Sequence, residues 1–155
     1  MNNRVAALVI AIGASLVACD AERVYETNTE VPEGAWEASE PVSFSVPIVD
    51  TLRAHNLFIN VRNTADYPYR NLIVFVQREA PSGALERDTI ECMLADSRGK
   101  WIGSGLGDIA SLSIWFDRGV RFRESGTYTY TFEHAMRDQS LPGIIDVGLR
   151  VARSE

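Results

Sequence analysis

The sequence predicts an all-β protein, an antiparallel β-sandwich of jelly-roll type with one short helical segment. Seven or more short stretches alternate apolar and polar residues, which is the period of a strand with one buried face. Stretches rich in Gly, Pro, Asn, Asp and Ser separate them, as turns require. Because the strands are spaced by turn signals without crossover helices, antiparallel pairing is favoured over a parallel sheet.

Residues 1–18 have the layout of a secretory signal peptide. Arg4 precedes a 13-residue apolar run, and small residues follow that run. The run is shorter than the roughly 20 residues that a membrane-spanning helix needs. We therefore expect residues 1–18 to direct export and to be cut off.

The end of this segment, Leu16-Val17-Ala18-Cys19, resembles the lipobox of bacterial lipoproteins. The resemblance implies that the Cys19 sulfur receives a diacylglyceryl group, that the chain is cut just before it, and that the new amino terminus is acylated. Two or three acyl chains suffice for stable membrane anchoring. The alternative is an ordinary cleavable signal peptide with a cysteine nearby.

Charge and cysteine content restrict what the mature chain can do. Removal of Arg4 leaves 14 basic residues against 21 acidic ones, a net charge of −7, which disfavours nucleic acid and anionic lipid as partners of the chain as a whole. Cys92 is the only cysteine besides Cys19, so no intramolecular disulfide is expected. Cys92 is in step with Ile90 and Leu94 and is predicted to be a buried small hydrophobic residue.

The chain is predicted to divide into the signal peptide, an acidic tether over residues 19–40 and a β-sandwich domain over residues 41–153. The tether is predicted because the segment from Asp20 to about Ser39 is acidic and polar. Val24, Tyr25 and Trp36 are apolar exceptions. The alternative for these three residues is that they pack back onto the domain as a staple or an edge strand.

Strands are predicted, in chain order, at "PVSFSVPI", "NLFINVRN", "NLIVFVQ", "TIECML", "LSIWFD", "TYTYTFE" and "IIDVGLRVA". Pro47 indicates that the first of them is an edge strand. In the last strand, Ile145 and every second residue after it are predicted to face the core.

Connections are predicted at "RNTADYPYRN", "EAPSGALERD", "DSRGKWIGSGLGD", "DRGVRFRESG" and "SLPG". The segment "EHAMRDQS" is predicted to form a helix of about two turns.

The stretch "GKWIGSGLGD" at 99–108 superficially resembles a phosphate-binding loop. Its glycines at 103, 105 and 107 are spaced by two and lead into a predicted strand, so the helix that would hold a phosphate is missing. Lys100 precedes the glycines, and Asp108 would repel phosphate. We predict no nucleotide binding. The glycines are interpreted as allowing positive φ or close backbone approach in a tight connection between strands, with Trp101 covering the core.

No catalytic or cofactor-binding residues are predicted. His55 and His134 are the only histidines and have no Cys or His near them at metal-ligand spacing, and no Gly-x-Ser-x-Gly motif is present. A glycan-binding or glycan-cleaving sandwich is the alternative class. An exposed row of Trp or Tyr, or two carboxylates converging in a cleft, would favour it.

Four pieces of the chain, together with the lipobox, resemble the GldH family of gliding-motility lipoproteins of Bacteroidota. They are "NLFINVRNTADYPYRNL", "DTIECMLADSRGKWIGSGLGD", "ESGTYTYTFEHAMR" and "LPGIIDVGLRV". The resemblance implies a non-enzymatic envelope lipoprotein without a cofactor. It also implies partners among gliding-motility proteins and the linked type IX secretion apparatus. We expect a periplasm-facing position.

The glycine-rich loop, with "RNTADYPYRN" beside it, is predicted to be either a structural corner or a docking face. The ordinary role of glycine favours the corner, in which a glycine such as Gly105 allows either a positive φ or the close approach of another backbone. The residues concerned are Lys100, Trp101, Gly103, Gly105, Gly107, Asp108, Asp66, Tyr67 and Tyr69.

Overall fold

The structure, a computed structural model, describes residues 20–154 and contains two four-stranded antiparallel sheets. The first sheet has, in spatial order, β1 (Arg23–Glu30), β10 (Ile144–Arg153), β4 (His55–Thr64) and β7 (Ile109–Val120). The second has β3 (Val42–Ile48), β8 (Gly126–His134), β5 (Asn71–Glu79) and β6 (Leu85–Met93). A two-stranded ribbon pairs β2 (Ala35–Glu37) with β9 (Ser140–Pro142). The predicted all-β sandwich is confirmed, whereas the signal peptide and Cys19 lie outside the described residues.

The core lies between the inward faces of the two sheets. β3 shows the predicted alternation most clearly, because Val42, Phe44, Val46 and Ile48 are buried and the residues between them are exposed. β3 is also an edge strand, where the missing N–H of Pro47 breaks no sheet hydrogen bond. Cys92 is fully buried, as predicted, and burial raises the pKa of its thiol to about 12.

The loops at the two ends of the sandwich differ in sequence and in surface. One end, here called the N-terminal end, holds Asp20 and the loops 49–54, 80–84 and 121–125. The opposite, distal end holds the loops 65–70 and 94–108. At about 3.4 Å per residue, the ten residues of β4 separate the two ends by about 30 Å.

The prediction of a tether over residues 19–40 is wrong for residues 23–37, which belong to the folded domain. β1 pairs with β10 along its whole length, from Arg23 opposite Ala152 to Glu30 opposite Asp146. Trp36 is fully buried, and its Nε1 donates a hydrogen bond to the Glu40 carbonyl at 3.0 Å. The alternative of packing onto the domain is therefore correct: Val24 and Tyr25 lie in the edge strand β1, and Trp36 packs into the core from the β2–β9 ribbon. A polar segment can form this edge strand because β10 offers a row of backbone groups for it to pair with.

The predicted helix at "EHAMRDQS" is also wrong. Glu133 and His134 end β8, and Ser140 already begins β9. The Ala135 N–H donates to the Ile73 carbonyl at 2.7 Å, so the backbone follows the neighbouring strand instead of bonding to itself. A two-turn helix is too short to compete with such pairing. In residues 20–154 the helical content is a single 3₁₀ turn, Pro32–Gly34.

Three further differences concern strand boundaries and register. The segments "EAPSGALERD" and "DRGVRFRESG" were expected to be connections, but Leu85–Asp88 lie in β6 and Asp117–Val120 lie in β7. Backbone pairing with β5 and β4, rather than apolar alternation, defines these stretches as strand. In β10 a register shift between Ile144 and Asp146 buries Ile144 and leaves Ile145, the predicted core residue, only half-buried.

The two histidines are buried structural residues. His134 packs edge-on against Trp36 with ring centroids 5.4 Å apart, and His55 packs in the same way against Phe122 at 5.2 Å. Burial lowers the pKa of both imidazoles. Among residues 20–154, no three His, Cys, Asp or Glu side chains are grouped so that they could hold a metal ion.

We expect Trp36→Ala to lower the free energy of unfolding by about 3–5 kcal/mol, because it empties a fully buried site. Trp115→Ala is the matched control and should cost about 1 kcal/mol, since Trp115 is half-exposed and contacts mainly Phe58 and Arg118. Urea unfolding of a chain beginning at residue 20 measures both. Equal, small losses would show that residues 35–37 are a tether after all.

Candidate interaction surface

The two loops that the sequence singled out lie side by side at the distal end. The Ala65 N–H donates to the Asp108 carbonyl at 2.9 Å, which joins the start of one loop to the end of the other. The rings of Tyr67 and Trp101 are 6.5 Å apart between centroids. Asp66, Tyr67 and Tyr69 therefore form one surface with the glycine-rich loop.

Tyr67 anchors the 65–70 loop to the interior of the domain. It is buried, and its hydroxyl donates to the Asn71 carbonyl at 2.8 Å; burial raises the pKa of this phenol well above its usual range. Gly143, at φ +87°, lets β9 approach so closely that a Cβ there would lie 2.5 Å from the Tyr67 nitrogen. Tyr69 donates to the Asp138 carboxylate, which raises the pKa of Tyr69, and Asp66 is exposed.

An Asp96 turn positions Lys100. The Asp96 carboxylate accepts the N–H groups of Arg98 at 2.8 Å and Lys100 at 3.0 Å, and these two bonds lower the pKa of the carboxyl. Gly99, at φ +82°, closes the turn. Lys100 is exposed, whereas Trp101 is half-buried and packs against the core.

The glycines allow the loop to lie close alongside the first residues of β7. Ser104 and Ser111 exchange two backbone hydrogen bonds of 3.0 and 2.9 Å. A Cβ at Gly103 would lie 2.6 Å from the Ser111 carbonyl oxygen, and one at Gly105 would lie 1.9 Å from that of Ile109. The loop thus covers part of an edge that would otherwise be free to pair with another strand.

Of the two roles predicted for these glycines, Gly105 shows close approach of another backbone and not a positive φ. Positive φ values occur instead at Gly99 and at Gly107, where φ is +65°. Gly105 is required because another backbone passes beside it, a constraint that depends on the position of β7 and cannot be read from the loop's own sequence.

The outward side of this loop carries apolar side chains among charges. Leu106 at the tip is 92% exposed, Ile102 is 52% exposed and Ile109 is 41% exposed. Lys100 and Asp108 lie in the same loop and are exposed. A fixed backbone that presents apolar side chains within a polar rim is typical of a protein-docking surface.

Sequence reasoning missed a polar cleft between the free edges of β6 and β7. Its volume is about 260 Å³, and Arg78, Asp88, Asp117 and Tyr130 are among its lining residues. The Tyr130 hydroxyl is buried and makes no hydrogen bond with good geometry, although the Arg78 guanidinium lies close to it. The sequence feature that could have indicated this cleft is the position of Asp88, which alternates in step with the inward-facing residues of β6. Inward charges at an edge also prevent pairing with another chain.

The outer face of the first sheet carries the exposed tryptophan. Trp115 is 51% exposed, and the Arg118 guanidinium stacks on its ring at 3.5 Å. An open polar groove of about 420 Å³ lies on the same sheet, and its lining includes Asn60 and Ser113, which are hydrogen-bonded to each other at 2.7 Å. No row of exposed tryptophans exists within residues 20–154, since Trp36 is buried and Trp101 half-buried.

The fold and this surface define an antiparallel β-sandwich domain in which two loops of the distal end are held in a fixed conformation. Within the described residues no helix is long and apolar enough to cross a membrane. A family model described as GldH lipoprotein matches residues 23–151, a range that begins where β1 begins. The chain belongs to the GldH lipoprotein family, which confirms the resemblance seen in the sequence.

Two relatives match over most of their length. A protein of Christiangramia forsetii, named gliding motility lipoprotein GldH homolog, is 35% identical over 144 residues, covering 88% of each chain. The gliding motility lipoprotein GldH of Flavobacterium johnsoniae is 33% identical over 147 residues, covering 90% of this chain and 91% of the relative.

We expect Gly105→Ala to destabilise the domain by about 1–3 kcal/mol, because its Cβ would overlap the Ile109 carbonyl oxygen. Gly107→Asn is the control: nothing lies within 4 Å of a Cβ there, and asparagine tolerates the left-handed conformation. Thermal unfolding compares the two. If Gly105→Ala unfolds at the wild-type temperature, the structural-corner interpretation fails.

Proposed function

We propose that this protein is a lipid-anchored component or accessory of the gliding-motility machinery and of the linked type IX secretion apparatus, and that it acts by protein–protein contact. Membership of a family whose relatives are named gliding motility lipoproteins carries this proposal. The protein acts without catalysis and faces the periplasm. Its acyl chains at Cys19 hold it on the membrane.

The exposed apolar residues of the distal end support a role in docking. Met93, at 43% exposure, lies at the end of β6 and joins Ile102, Leu106 and Ile109 at this end. The glycine contacts and the Asp96 turn fix the backbone beneath them, so little conformational entropy is lost when a partner binds. One loop thus has both roles: its glycines pack against β7 as a structural corner, and its outward side chains form the docking face.

A short path from Cys19 to the domain supports a fixed orientation on the membrane. The Asp20 carboxylate forms an ion pair with Arg150 at 2.5 Å, and Arg153 donates to the Ala21 carbonyl at 2.8 Å. Residues 20 and 21 are therefore already held by β10. With no tether between lipid and sheet, the N-terminal end stands next to the membrane and the distal end points away from it.

Glycan binding is a second candidate function. Half-exposed Trp115 beside the polar groove supports it, and so do Asp88 and Asp117, two carboxylates lining one cleft. The absence of an exposed aromatic row in residues 20–154 makes it the weaker candidate. Binding of the domain on a glycan array, lost in Trp115→Ala, would establish this function.

We expect Cys19→Ser to leave the protein as an uncleaved precursor or in the soluble fraction, because no thioether to the lipid can form without the sulfur. Cys92→Ala is the matched control and should still fractionate with the envelope. Fractionation followed by mass determination of the amino terminus measures both. Normal membrane fractionation of a Cys19→Ser protein would contradict the lipoprotein assignment.

We expect Lys100→Glu to reduce recovery of envelope partners about fivefold or more after crosslinked purification, with an unchanged melting temperature, because charge reversal opposes a complementary partner surface. Lys100→Arg keeps the charge and should recover partners normally. Quantitative mass spectrometry of the crosslinked material measures this. If Lys100→Glu recovers the same proteins at wild-type yield, the distal loop is not the docking face.

A further inference from the structure

The N-terminal end of the sandwich carries its own group of exposed apolar side chains. Val49 is 87% exposed and Leu52 is 82% exposed, both in the loop between β3 and β4. Leu85, at 61% exposure, begins β6 at the same end and follows the exposed Pro81 and Ala84 of the β5–β6 hairpin. Residues of this size and exposure, grouped at one end, indicate a contact surface.

The loop that presents Leu52 is held in a fixed shape. The Asp50 carboxylate accepts the N–H groups of Leu52 at 2.9 Å and Arg53 at 3.1 Å. The Arg121 guanidinium donates to the Leu52 carbonyl at 2.5 Å. Because its backbone is tied on both sides, the loop holds the Leu52 side chain outward in a defined conformation.

This loop lies close to the point where the chain arrives from Cys19. The Ser154 N–H donates to the Ala54 carbonyl at 2.8 Å, and the Arg153 N–H donates to the Glu22 carbonyl at 2.7 Å. β10 therefore separates residue 22 from residue 54 by two strand spacings, about 10 Å. Whatever surface holds Cys19 also lies within reach of Leu52.

The charges around these residues suit phospholipid headgroups. Arg53, Arg121 and Arg123 are exposed in the loops of this end. Two of the nearby acidic groups have partners within the domain: Asp50 caps its own turn and pairs with Arg53 at 3.5 Å, and Glu124 accepts the Ser82 N–H at 3.2 Å. Glu22 and Glu79 are exposed at the same end. Apolar side chains surrounded by arginines are the composition of a segment that lies at a membrane interface.

We propose that the N-terminal end, through Val49, Leu52 and the β5–β6 hairpin, rests on the phospholipid surface with Leu52 in the headgroup and acyl boundary. The inference uses the proposed acyl anchor for the choice of occupant. The domain then has a fixed upright orientation, with the distal loops about 30 Å from the membrane.

An environment-sensitive dye tests this contact without depending on acylation. A chain beginning at residue 20 retains every described strand, and an N-terminal histidine tag attaches it to vesicles of phosphatidylethanolamine and phosphatidylglycerol that contain a nickel-chelating lipid. Leu52→Cys or Leu106→Cys is labelled with a nitrobenzoxadiazole dye; Cys92 is fully buried and does not compete. Dye at position 52 should show a blue shift and quenching by spin-labelled lipid, whereas dye at position 106 should not.

Three results would overturn the inference. The dye at position 52 could remain as solvent-exposed as the dye at position 106 on tethered protein. It could shift to the blue without vesicles as protein concentration rises, which would identify a second copy as the occupant. Equal quenching at both positions would mean that the domain has no preferred orientation.

A substitution pair gives an independent readout. Leu52→Asp should lower sedimentation of the untethered domain with the same vesicles about tenfold, because an apolar contact is replaced by a charge. Leu106→Asp should leave sedimentation unchanged, and equal effects of the two would overturn the inference. Normal membrane fractionation of Cys19→Ser would contradict the proposed acyl anchor while leaving both vesicle results intact, so the two proposals can fail separately.

Discussion

The pairing of β1 with β10 is the interaction on which the proposed orientation of the domain depends. It takes an acidic, polar segment without regular apolar alternation and satisfies its backbone along an eight-residue strand. It also brings Asp20 against Arg150, so that folded structure begins immediately after Cys19. The segment that would have been a flexible spacer becomes part of the sheet. One end of the sandwich is thereby fixed next to the proposed lipid anchor.

The exposed apolar residues divide between the two ends of the strands. Val49, Leu52 and Leu85 lie at the N-terminal end, and Met93, Ile102, Leu106 and Ile109 lie at the distal end. Each group is presented by a loop whose backbone is tied by an aspartate turn, through Asp50 at one end and Asp96 at the other. Two fixed and separate contact surfaces suit a protein that links a membrane to a larger assembly.

Much of the fold could be predicted because the inward-facing residues of several strands are apolar at every second position, as in β3 and β8. The predictions failed where backbone pairing rather than side-chain pattern determined structure. β1, the first half of β6 and the end of β7 are polar strands that exist because a neighbouring strand offers hydrogen bonds. The polar cleft was missed for the same reason, since Asp88 lies in a stretch whose sequence resembles a turn.

The sequence by itself determined the fold class, the burial of Cys92, the edge position of β3 and the family, because period-two patterning and extended motifs are local properties of the chain. Only the tertiary structure decided why Gly105 must be glycine, where the domain begins and which loops share an end. Each of these depends on segments that are distant in sequence: the Ile109 carbonyl beside Gly105, β10 beside β1, and the Ala65–Asp108 hydrogen bond. A local pattern carries no information about which backbone will lie beside it, so contacts of this kind appear only once the sheets are assembled.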